Sequence, residues 1–345
     1  MIKTAVVILS WNSLGWLQRF LDSVVRYSLS PETELYVADN GSTDGSSDWI
    51  SKSFSGVRII RLDKNHGFAG GYNLALQKID AKYFVLLNSD VEVTEGWLEP
   101  LINHLDQNTD VASCQPKIKS FFNKESFEYA GAAGGFIDKL GYTFCRGRIF
   151  DVVEKDFGQY NNSTDIFWSS GACMAVRADA WLKCGGFDND FFAHMEEVDL
   201  CWRFHLSGLR VSYISESVVY HVGGGVLQYD SDFKTYLNFR NNLYLLYKNL
   251  PESKLQRTIF IRKLLDGVAA GMYLLKGKFR NVGAIRKAHG DYYRNLTKLK
   301  EKRNAIKEKE TINNVSPILN KSLVFRFYIM GEKTFGSLNI QNKSG

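Results

Sequence analysis

The sequence predicts an α/β fold in which a mixed, mostly parallel sheet is flanked by helices. Short apolar runs alternate with helical patterns through roughly residue 120, which is typical of a parallel sheet covered by its connecting helices. The chain has 345 residues and is 45% hydrophobic, so it can bury one large domain, or one domain with an appendage. Its five cysteines are widely spaced and include no C-x-x-C pair, which predicts reduced, mostly buried thiols in a cytosolic compartment.

Three predicted strands, 5–9, 34–38 and 83–87, each run directly into polar residues. In open α/β sheets ligands bind beyond the carboxyl ends of the strands, so the polar step after the third strand is well placed to hold a metal and a phosphate. An ordinary Asx turn would give the same local pattern. These polar residues are Ser10 and Asn12 after the first strand, Asp39 and Asn40 after the second, and Asn88, Ser89 and Asp90 after the third.

A glycine-rich segment, NHGFAGGYN at 65–73, lies between the second and third of these strands. Its three glycines permit close backbone approach before a helix that we predict to begin near Tyr72, and the segment could cradle a diphosphate. It lacks the spacing of the dinucleotide fingerprint, and the chain contains no G-x-x-x-x-G-K-[ST] loop, which argues against a P-loop phosphotransferase.

The segment FFAHMEEVDLCWR at 191–203 brings the carboxylates of Glu196, Glu197 and Asp199 together within four residues, and His221 follows in VVYHVGGG. Such a cluster needs a cation, a hydrogen-bond donor or solvent to compensate it, so the pattern predicts a site with a base and a metal ligand. The alternative is a solvated helix start, because acidic residues favour the first turn of a helix. Arg203 is expected to pair with Asp199 or a neighbouring carboxylate.

Residues 251–345 contain 20 Lys and Arg against 7 Asp and Glu, a net charge of +13, so residues 1–250 carry −7 of the total of +6. Basic residues flank and interrupt the apolar stretch LLDGVAAGMYLL at 264–275, which favours an amphipathic helix on an anionic membrane surface. Nucleic acid is the competing partner, but no nucleic-acid motif is present. A helical face that packs on the main domain is the remaining alternative. The run at 297–310 is predicted to be an exposed helix, and 323–330 a strand or a short helix.

The chain start, MIKTAVVILSWNS, lacks a small-residue cleavage site and is interpreted as a first strand. No stretch reaches the roughly 20 apolar residues needed to span a bilayer. We therefore expect a cytoplasmic protein, peripheral on the inner face of the cytoplasmic membrane.

Residues 3–245 resemble the family 2 inverting glycosyltransferases of GT-A fold, especially rhamnosyltransferase-like and galactofuranosyltransferase-like bacterial members. The resemblance depends on segments in a fixed order. They are VVILSWNS, VADNGSTDGS, NHGFAGGYNLAL, FVLLNSDVEV, and the segment from SSGACMAVRADAWLKCGGFDNDFF to AHMEEVDLCWR with YHVGGG after it.

The resemblance implies roles for individual residues. Asp39, with Asn40 beside it, would receive a pyrimidine base bordered by Ser10 and Asn12, and Asn65, Gly70 and Asn73 would line the sugar-nucleotide pocket. The D-x-D metal motif falls on Asn88, Ser89 and Asp90, so Asn replaces its first carboxylate. His221 would be a further ligand for Mn²⁺ or Mg²⁺. Trp168, Ser170 and Gly171 would shape the donor sugar and acceptor site.

The family's acidic pair falls on Glu196 and Glu197, and the resemblance places the catalytic base on Glu197, with Glu196 and Asp199 as alternatives. One base without an enzyme nucleophile implies inversion at the anomeric carbon. The expected activity is metal-dependent transfer of a sugar from a UDP- or dTDP-sugar to a glycan or lipid-linked glycan in bacterial cell-surface polysaccharide synthesis. The alternatives are a catalytically silent nucleotide- or glycan-binding module and a nucleotidyltransferase. We expect a catalytic domain at 1–250 and a basic, mainly helical region at 251–345, which contacts an anionic membrane, with no nucleic-acid partner.

Overall fold

The computed structural model describes residues 1–223, 231–308 and 317–340. Strands and helices alternate through its first half, and helices dominate after residue 231. The strands are β1 (Ile2–Ser10), β2 (Thr33–Asp39), β3 (Val57–Arg61), β4 (Ala81–Asn88), β5 (Val91–Val93), β6 (Val111–Ser120), β7 (Gly135–Asp138), β8 (Thr143–Cys145), β9 (Arg148–Ile149), β10 (Val152–Val153), β11 (Thr164–Ile166), β12 (Cys173–Arg177), β13 (Arg210–His221) and β14 (Ile318–Leu319). The helices are α1 (Leu14–Ser28), α2 (Ser46–Ser53), α3 (Gly67–Leu76), α4 (Leu98–Gln107), α5 (Ala178–Cys184), α6 (Glu196–Leu206), α7 (Asp232–Asn249), α8 (Glu252–Leu275), α9 (Phe279–Arg294), α10 (Leu296–Lys307) and α11 (Leu323–Tyr328).

The central sheet has the strand order β11-β13-β6-β12-β4-β1-β2-β3, and β5 pairs with β13. Strands β3, β2, β1 and β4 are parallel neighbours. Strand β12 is antiparallel to both β4 and β6, and β13 is parallel to β6, so six of the nine strands run in one direction. The predicted mixed, mostly parallel sheet with covering helices is confirmed. Its parallel strands are buried on both faces, as their continuous apolar runs predict.

A second sheet, in the order β10-β9-β8-β7-β14, lies beyond the first. Strand β14 comes from the carboxyl-terminal region and pairs in parallel with β7. The N–H of Leu323 donates to Asp138 Oδ2 over 2.8 Å, and that of Phe335 donates to Glu154 Oε1 over 3.0 Å. The carboxyl-terminal region therefore packs on the amino-terminal part, and the predicted division at residue 250 stays a prediction.

Two local predictions needed correction, the start of α3 and the exposure of the run at 297–310, whereas of the two alternatives at 323–330 the short helix is confirmed. Helix α3 begins at Gly67 rather than near Tyr72, so the glycines lie in its first turns. The residues at 323–328 form a helix. The run at 297–310 is helical to Lys307 and its last two residues lie outside the described ones, but Leu299 and Arg303 are buried, so this helix is not exposed throughout.

The five cysteines are free thiols, as predicted. Among the described residues, no helix is long and apolar enough to cross a membrane.

Candidate active site

The ends of β1 and β2 lie side by side and form the first part of the site. Ser10 is paired in register with Asp39, and both side chains are buried. The Asp39 carboxylate accepts a hydrogen bond from the N–H of Ser42 over 2.8 Å and another from the Ser47 hydroxyl. Asn12, with a left-handed φ of 50°, accepts the N–H of Thr43 over 2.8 Å. These bonds fix a polar rim where the resemblance expects a nucleoside base.

Asn40 holds the glycine-rich segment against the end of β2. Its Nδ2 donates to Gly67 O over 3.1 Å and to Asn65 Oδ1 over 3.2 Å, while its Oδ1 accepts the N–H of His66 over 3.0 Å. Gly71 lies so close that an added Cβ would stand 3.0 Å from Asn40 Nδ2 and 2.8 Å from the side chain of Leu9. The segment is therefore fixed by contacts within the chain.

The start of α3 is occupied by the chain itself. The N–H groups of Phe68 and Ala69 donate to Phe192 O over 2.7 and 3.3 Å. Gly67 has φ +73°, and a Cβ there would meet the Phe192 ring at 2.5 Å. These donors serve the loop that precedes α6, so the idea that this helix start cradles a diphosphate is not supported by the geometry. Gly70 stands in the same turn and remains a predicted contact.

The side-chain amide of Asn73 forms hydrogen bonds within the chain through both its nitrogen and its oxygen. Its Nδ2 donates to Phe187 O over 2.7 Å and to Asn189 Oδ1 over 2.6 Å, and its Oδ1 accepts the N–H of Phe187 over 3.0 Å. Both ends of the amide thus hold the segment that leads to α6. The structure places Asn73 at the edge of the site with these groups already engaged.

The end of β4 meets the end of β13 at a buried ion pair. Asp90 Oδ1 lies 3.2 Å from His221 Nε2, and Glu128 Oε2 lies 3.3 Å from His221 Nδ1. Burial would lower the pKa of His221, but the carboxylates of Glu128 and Asp90 outweigh it and raise the pKa to about 10. Burial would raise the pKa of Asp90, but the charge of His221 and its hydrogen bond lower it. The sequence paired Asp90 with His221, and the structure adds Glu128.

The pair has the spacing of two metal ligands. Adjacent ligands of an octahedral ion held at about 2.1 Å stand about 3 Å apart, close to the 3.2 Å between Asp90 Oδ1 and His221 Nε2. Asn88 Nδ2 lies 3.4 Å from His221 Nε2. A 180° flip of the Asn88 side-chain amide would place its oxygen at that position instead. Ser89 is buried beside them. No cluster of three His, Cys, Asp or Glu side chains able to hold an ion occurs in the described ranges. The donors present fit an ion that also uses substrate phosphates.

Glu196 and Glu197 open α6, and no cation among the described residues pairs with either carboxylate. Glu196 is buried, Glu197 is partly exposed, and neither Oε2 atom has a hydrogen-bond partner among the described residues. Burial, and then the charges of Glu197 and Asp199, raise the pKa of Glu196 well above its ordinary value. Burial raises the pKa of Glu197 to about 7. A carboxylate that titrates near neutral pH is suited to act as a general base.

Asp199 differs from the pair although it lies in the same helical turn. It is fully buried, accepts from Arg203 Nε over 2.9 Å, from Asn249 Nδ2 over 2.8 Å, and from Lys248 Nζ over 2.9 Å at both oxygens. Burial would raise its pKa, but the positive charges of Lys248 and Arg203 lower it. The predicted pairing with Arg203 is confirmed. These contacts make Asp199 a structural carboxylate and correct its place among the candidate bases.

The segment before β12 connects the two centres. Ser170 donates from its hydroxyl to Ala130 O, two residues after Glu128, and Ser169 Oγ lies 3.6 Å from Cys201 Sγ, one turn beyond Glu197. Trp168 Nε1 donates to Phe136 O over 2.9 Å. A Cβ on Gly171 would stand 3.1 Å from the Phe68 ring. Trp168 and Ser170 are buried and held by contacts within the chain, and their contact with a donor sugar or acceptor stays a prediction.

Sequence reasoning missed the residues of α7 and the residue Glu128. Asn241 and Lys248 lie seven residues apart in α7, a spacing that places them on one face, but half of the residues of this helix are polar, so the sequence did not single them out. Glu128 gave no signal, because its partner His221 is distant in sequence. Lys234 interacts electrostatically with both Glu128 and His194, so it lies between the two centres.

The architecture defines the class of protein. A mixed sheet of this strand order, with polar residues at its strand ends and covering helices, is the GT-A fold of glycosyltransferases. The structure superposes on GalNAc-T7, solved with UDP, GalNAc and Mn²⁺, with a TM-score of 0.58 and 18% identity over 74% of this chain and 49% of that one. It superposes on S. aureus TarS 1-349 in complex with UDP-GlcNAc with a TM-score of 0.57 and 15% identity over 89% and 88% of the two chains. At such identities the likeness concerns the fold alone.

Sequence comparison narrows the class to a family. Residues 5–164 match the model described as Glycosyl transferase family 2, a range that contains the polar ends of β1, β2 and β4. The N-acetylglucosaminyl-diphospho-decaprenol L-rhamnosyltransferase of Mycobacterium tuberculosis is 26% identical over 234 residues, which cover 63% of this chain and 75% of that relative. Together with the fold, these matches support a family 2 glycosyltransferase.

Proposed function

We propose that the protein is a metal-dependent inverting glycosyltransferase that moves a sugar from a UDP- or dTDP-sugar to a hydroxyl of a lipid-linked glycan. The observation that carries the proposal is the pair Glu196 and Glu197, which opens α6 without a cationic partner and with an Oε2 atom on each residue that accepts no hydrogen bond from the described residues. The name of the mycobacterial relative describes a lipid-linked acceptor. A bacterial cell-surface polysaccharide is the corresponding product.

Glu197 is the proposed general base. Its partly exposed carboxylate can accept the proton of the acceptor hydroxyl, and the hydroxyl oxygen then attacks the anomeric carbon in line. The bond from that carbon to the diphosphate oxygen breaks as the new bond forms, so the configuration inverts. Burial and the charges of Glu197 and Asp199 raise the pKa of Glu196 well above its ordinary value, which favours its protonated form beside the base.

Asp90 and His221 are the proposed holders of a divalent ion, with Asn88 beside them. A bound Mn²⁺ or Mg²⁺ would neutralise the charge of the departing diphosphate. For this the imidazole must present Nε2 as a neutral ligand, with the Nδ1 proton directed at Glu128. Asp39, Ser10 and Asn12 form the proposed nucleoside end of the same site.

A thermal-shift panel tests the donor site. A ligand that binds only the folded protein at 100 times its Kd adds about 2.7 kcal/mol of apparent stability. We expect UDP or dTDP, and their sugar conjugates, to stabilise the protein in the presence of Mn²⁺ or Mg²⁺. Stabilisation by nucleotide without metal, and without turnover of any sugar conjugate, would instead indicate a silent binding module. Release of pyrophosphate in place of a nucleoside diphosphate would indicate a nucleotidyltransferase.

The proposed membrane contact is a stripe on α8. Its members recur mostly every four residues, which places them on one helix face, and each is 48–90% exposed. They are Phe260, Leu264, Val268, Met272 and Leu275. Exposed Lys254, Arg257, Lys276 and Arg280 flank the stripe and would meet anionic headgroups. Arg262, predicted to join them, is buried against Asp266 and does not contribute. We propose peripheral attachment to the inner face of the cytoplasmic membrane.

Vesicle sedimentation tests this surface. Replacement of Phe260 and Leu264 by Ser should weaken binding to phosphatidylglycerol vesicles about tenfold or more, since each side chain would lose its apolar contact with lipid. The matched control replaces Phe157 and Leu182, which are 84% and 69% exposed elsewhere, by Ser. Equal binding of the two double variants would exclude the α8 surface.

A further inference from the structure

The loop at 188–195 delivers Glu196 and Glu197 to the site in an unfavourable backbone conformation. Three residues that are not glycine have left-handed φ angles: 64° at Phe192, 67° at His194 and 72° at Met195. Side chains disfavour that region, so such a loop persists only when its surroundings hold it. The residue immediately before the carboxylate pair, Met195, is one of the three. The position of the pair therefore depends on whatever holds this loop.

Asn241 of α7 holds the loop by its backbone. Its side chain is completely buried, and its Nδ2 lies 3.0 Å from Phe191 O, 2.9 Å from Ala193 O and 2.7 Å from His194 O. Two amide hydrogens of Asn241 thus serve three carbonyl groups within four residues of the loop. The neighbouring Arg240 Nη2 adds contacts of 2.8 Å to Asp190 O and 3.0 Å to Phe191 O.

Lys248 holds the same helix turn from the other side. It lies seven residues after Asn241, on the same face of α7, and is buried. Its Nζ lies 2.9 Å from both oxygens of Asp199 and 2.6 Å from Asp188 Oδ2. Asp188 begins the loop and Asp199 follows the pair, so the contacts of one helix enclose Glu196 and Glu197. Lys302 of α10 also contacts Asp188.

We propose that α7 is a positioning clamp for the carboxylate pair, in which Asn241 fixes the loop before Glu196 and Lys248 fixes Asp199 after Glu197. The proposal rests on the proposed function and adds to it residues that touch no substrate. A general base must stand within hydrogen-bond reach of the hydroxyl it deprotonates. A displacement of about 1 Å at a reacting group can lower the rate about 100-fold. Release of a strained loop would produce such a displacement.

The test compares neighbouring asparagines of one helix. Asn241→Ala removes the loop contacts, whereas Asn242→Ala removes an equally buried side chain whose Nδ2 donates over 2.6 Å to Gly141 O, remote from the loop. We expect Asn241→Ala to lower kcat about 10- to 100-fold with the donor KM changed less than about threefold. Asn242→Ala should leave kcat unchanged, although it should lower Tm about as much as Asn241→Ala does. Equal kinetic losses in the two variants would overturn the clamp.

Hydrogen exchange supplies a readout that needs no activity. In the unliganded protein, Asn241→Ala should speed amide exchange in peptides covering 188–199 about tenfold or more, and Asn242→Ala should leave it unchanged. Unchanged exchange in Asn241→Ala would overturn the proposal. If Asn241→Ala does not fold, Arg240→Gln removes contacts to the same loop from a partly exposed side chain and should show the same two effects more weakly. Wild-type protein that turns over no sugar nucleotide would refute the proposed function, while the exchange comparison would still decide the clamp.

Discussion

The two charged centres of the site differ in whether an opposing charge accompanies their carboxylates. At the ends of β4 and β13, Asp90 is matched by His221, whose charge keeps the pKa of Asp90 low. At the start of α6, Glu196 and Glu197 have no opposing charge, and burial raises the pKa of both. The first arrangement keeps Asp90 charged, and the pair could hold a cation once His221 gives up its proton. The second makes a carboxylate ready to accept a proton, which is a property of a base.

The difference is not a property of α6 as a whole, because Asp199 shares the turn and is paired with Lys248 and Arg203. In this turn of α6, Glu196 and Glu197 are the carboxylates that lack a cationic partner among the described residues. A carboxylate needed only for folding would be more stable with a cationic partner. The lack of such a partner at Glu197 indicates a functional site, where stability is lost in favour of reactivity.

The largest expected effect comes from Glu197→Gln. Loss of a general base should lower kcat about 10²- to 10⁴-fold, since base catalysis typically contributes that much. The fold should persist, because a neutral amide is buried more easily than a carboxylate. Steady-state release of nucleoside diphosphate measures the rate, and circular dichroism measures the fold.

The matched control for that variant is Glu99→Gln, which alters an exposed glutamate in the first turn of α4. It should leave kcat unchanged. Full activity in a folded Glu197→Gln protein would assign the proton transfer to another group, with Glu196 as the next candidate.

Asp199→Asn tests whether the compensated carboxylate is structural. Removal of the charge of Asp199 leaves the buried Arg203 without its carboxylate and Lys248 with Asp188 alone, and we expect a loss of about 3–5 kcal/mol in the free energy of unfolding. Denaturant titration measures it. The exposed pair Asp22 and Arg26 has the same i,i+4 spacing on α1, so Asp22→Asn is the control and should change stability far less. Equal losses would show that Lys248 adds nothing at this site.

Asp90→Asn tests the other centre. Loss of a ligand should weaken binding of Mn²⁺ in the presence of UDP, by about 10- to 100-fold, which isothermal titration calorimetry can measure directly. Glu128→Gln should weaken it less, because Glu128 contacts only the far nitrogen of His221. The exposed Asp48→Asn is a control for the loss of one negative charge. Unaltered metal affinity in Asp90→Asn would remove the metal assignment.

The smallest expected effect is a pH dependence. A base must be deprotonated to act, and the pKa of Glu197 is raised to about 7, so kcat/KM should rise with pH between about 6 and 8 and fall about tenfold per unit below the midpoint. Glu196 and Cys201 are titratable groups that interact with Glu197, and burial raises the pKa of Glu196 well above its ordinary value and that of Cys201 to about 12. A profile with its midpoint near pH 4.5 would show that Glu197 titrates as an ordinary surface carboxylate.

Much of this comparison was predictable from local sequence. Polar residues directly after apolar strand runs predicted that Ser10, Asp39 and Asp90 would meet at one edge of the sheet, because parallel strands end together. The start of α3 was predicted wrongly at Tyr72, because the left-handed Gly67 and the Phe192 carbonyl that begin this helix are distant in sequence from one another. The basic carboxyl-terminal region was predicted as a unit, but its burial of Arg262 and Arg303 was not.

The sequence by itself determined the layered α/β fold, the strand-end cluster and the acidic segment. These features depend on hydrophobic periodicity and local composition, which involve only a few neighbouring residues. Only the tertiary structure decided which carboxylates are compensated. Asp199 has its local partner Arg203 but obtains a second cation from Lys248, 49 positions away, and His221 obtains its second carboxylate from Glu128 on a distant segment, whereas no cation among the described residues pairs with Glu197. The pKa of a buried group depends on the charges within a few ångströms of it, and in a folded chain those neighbours come from distant positions.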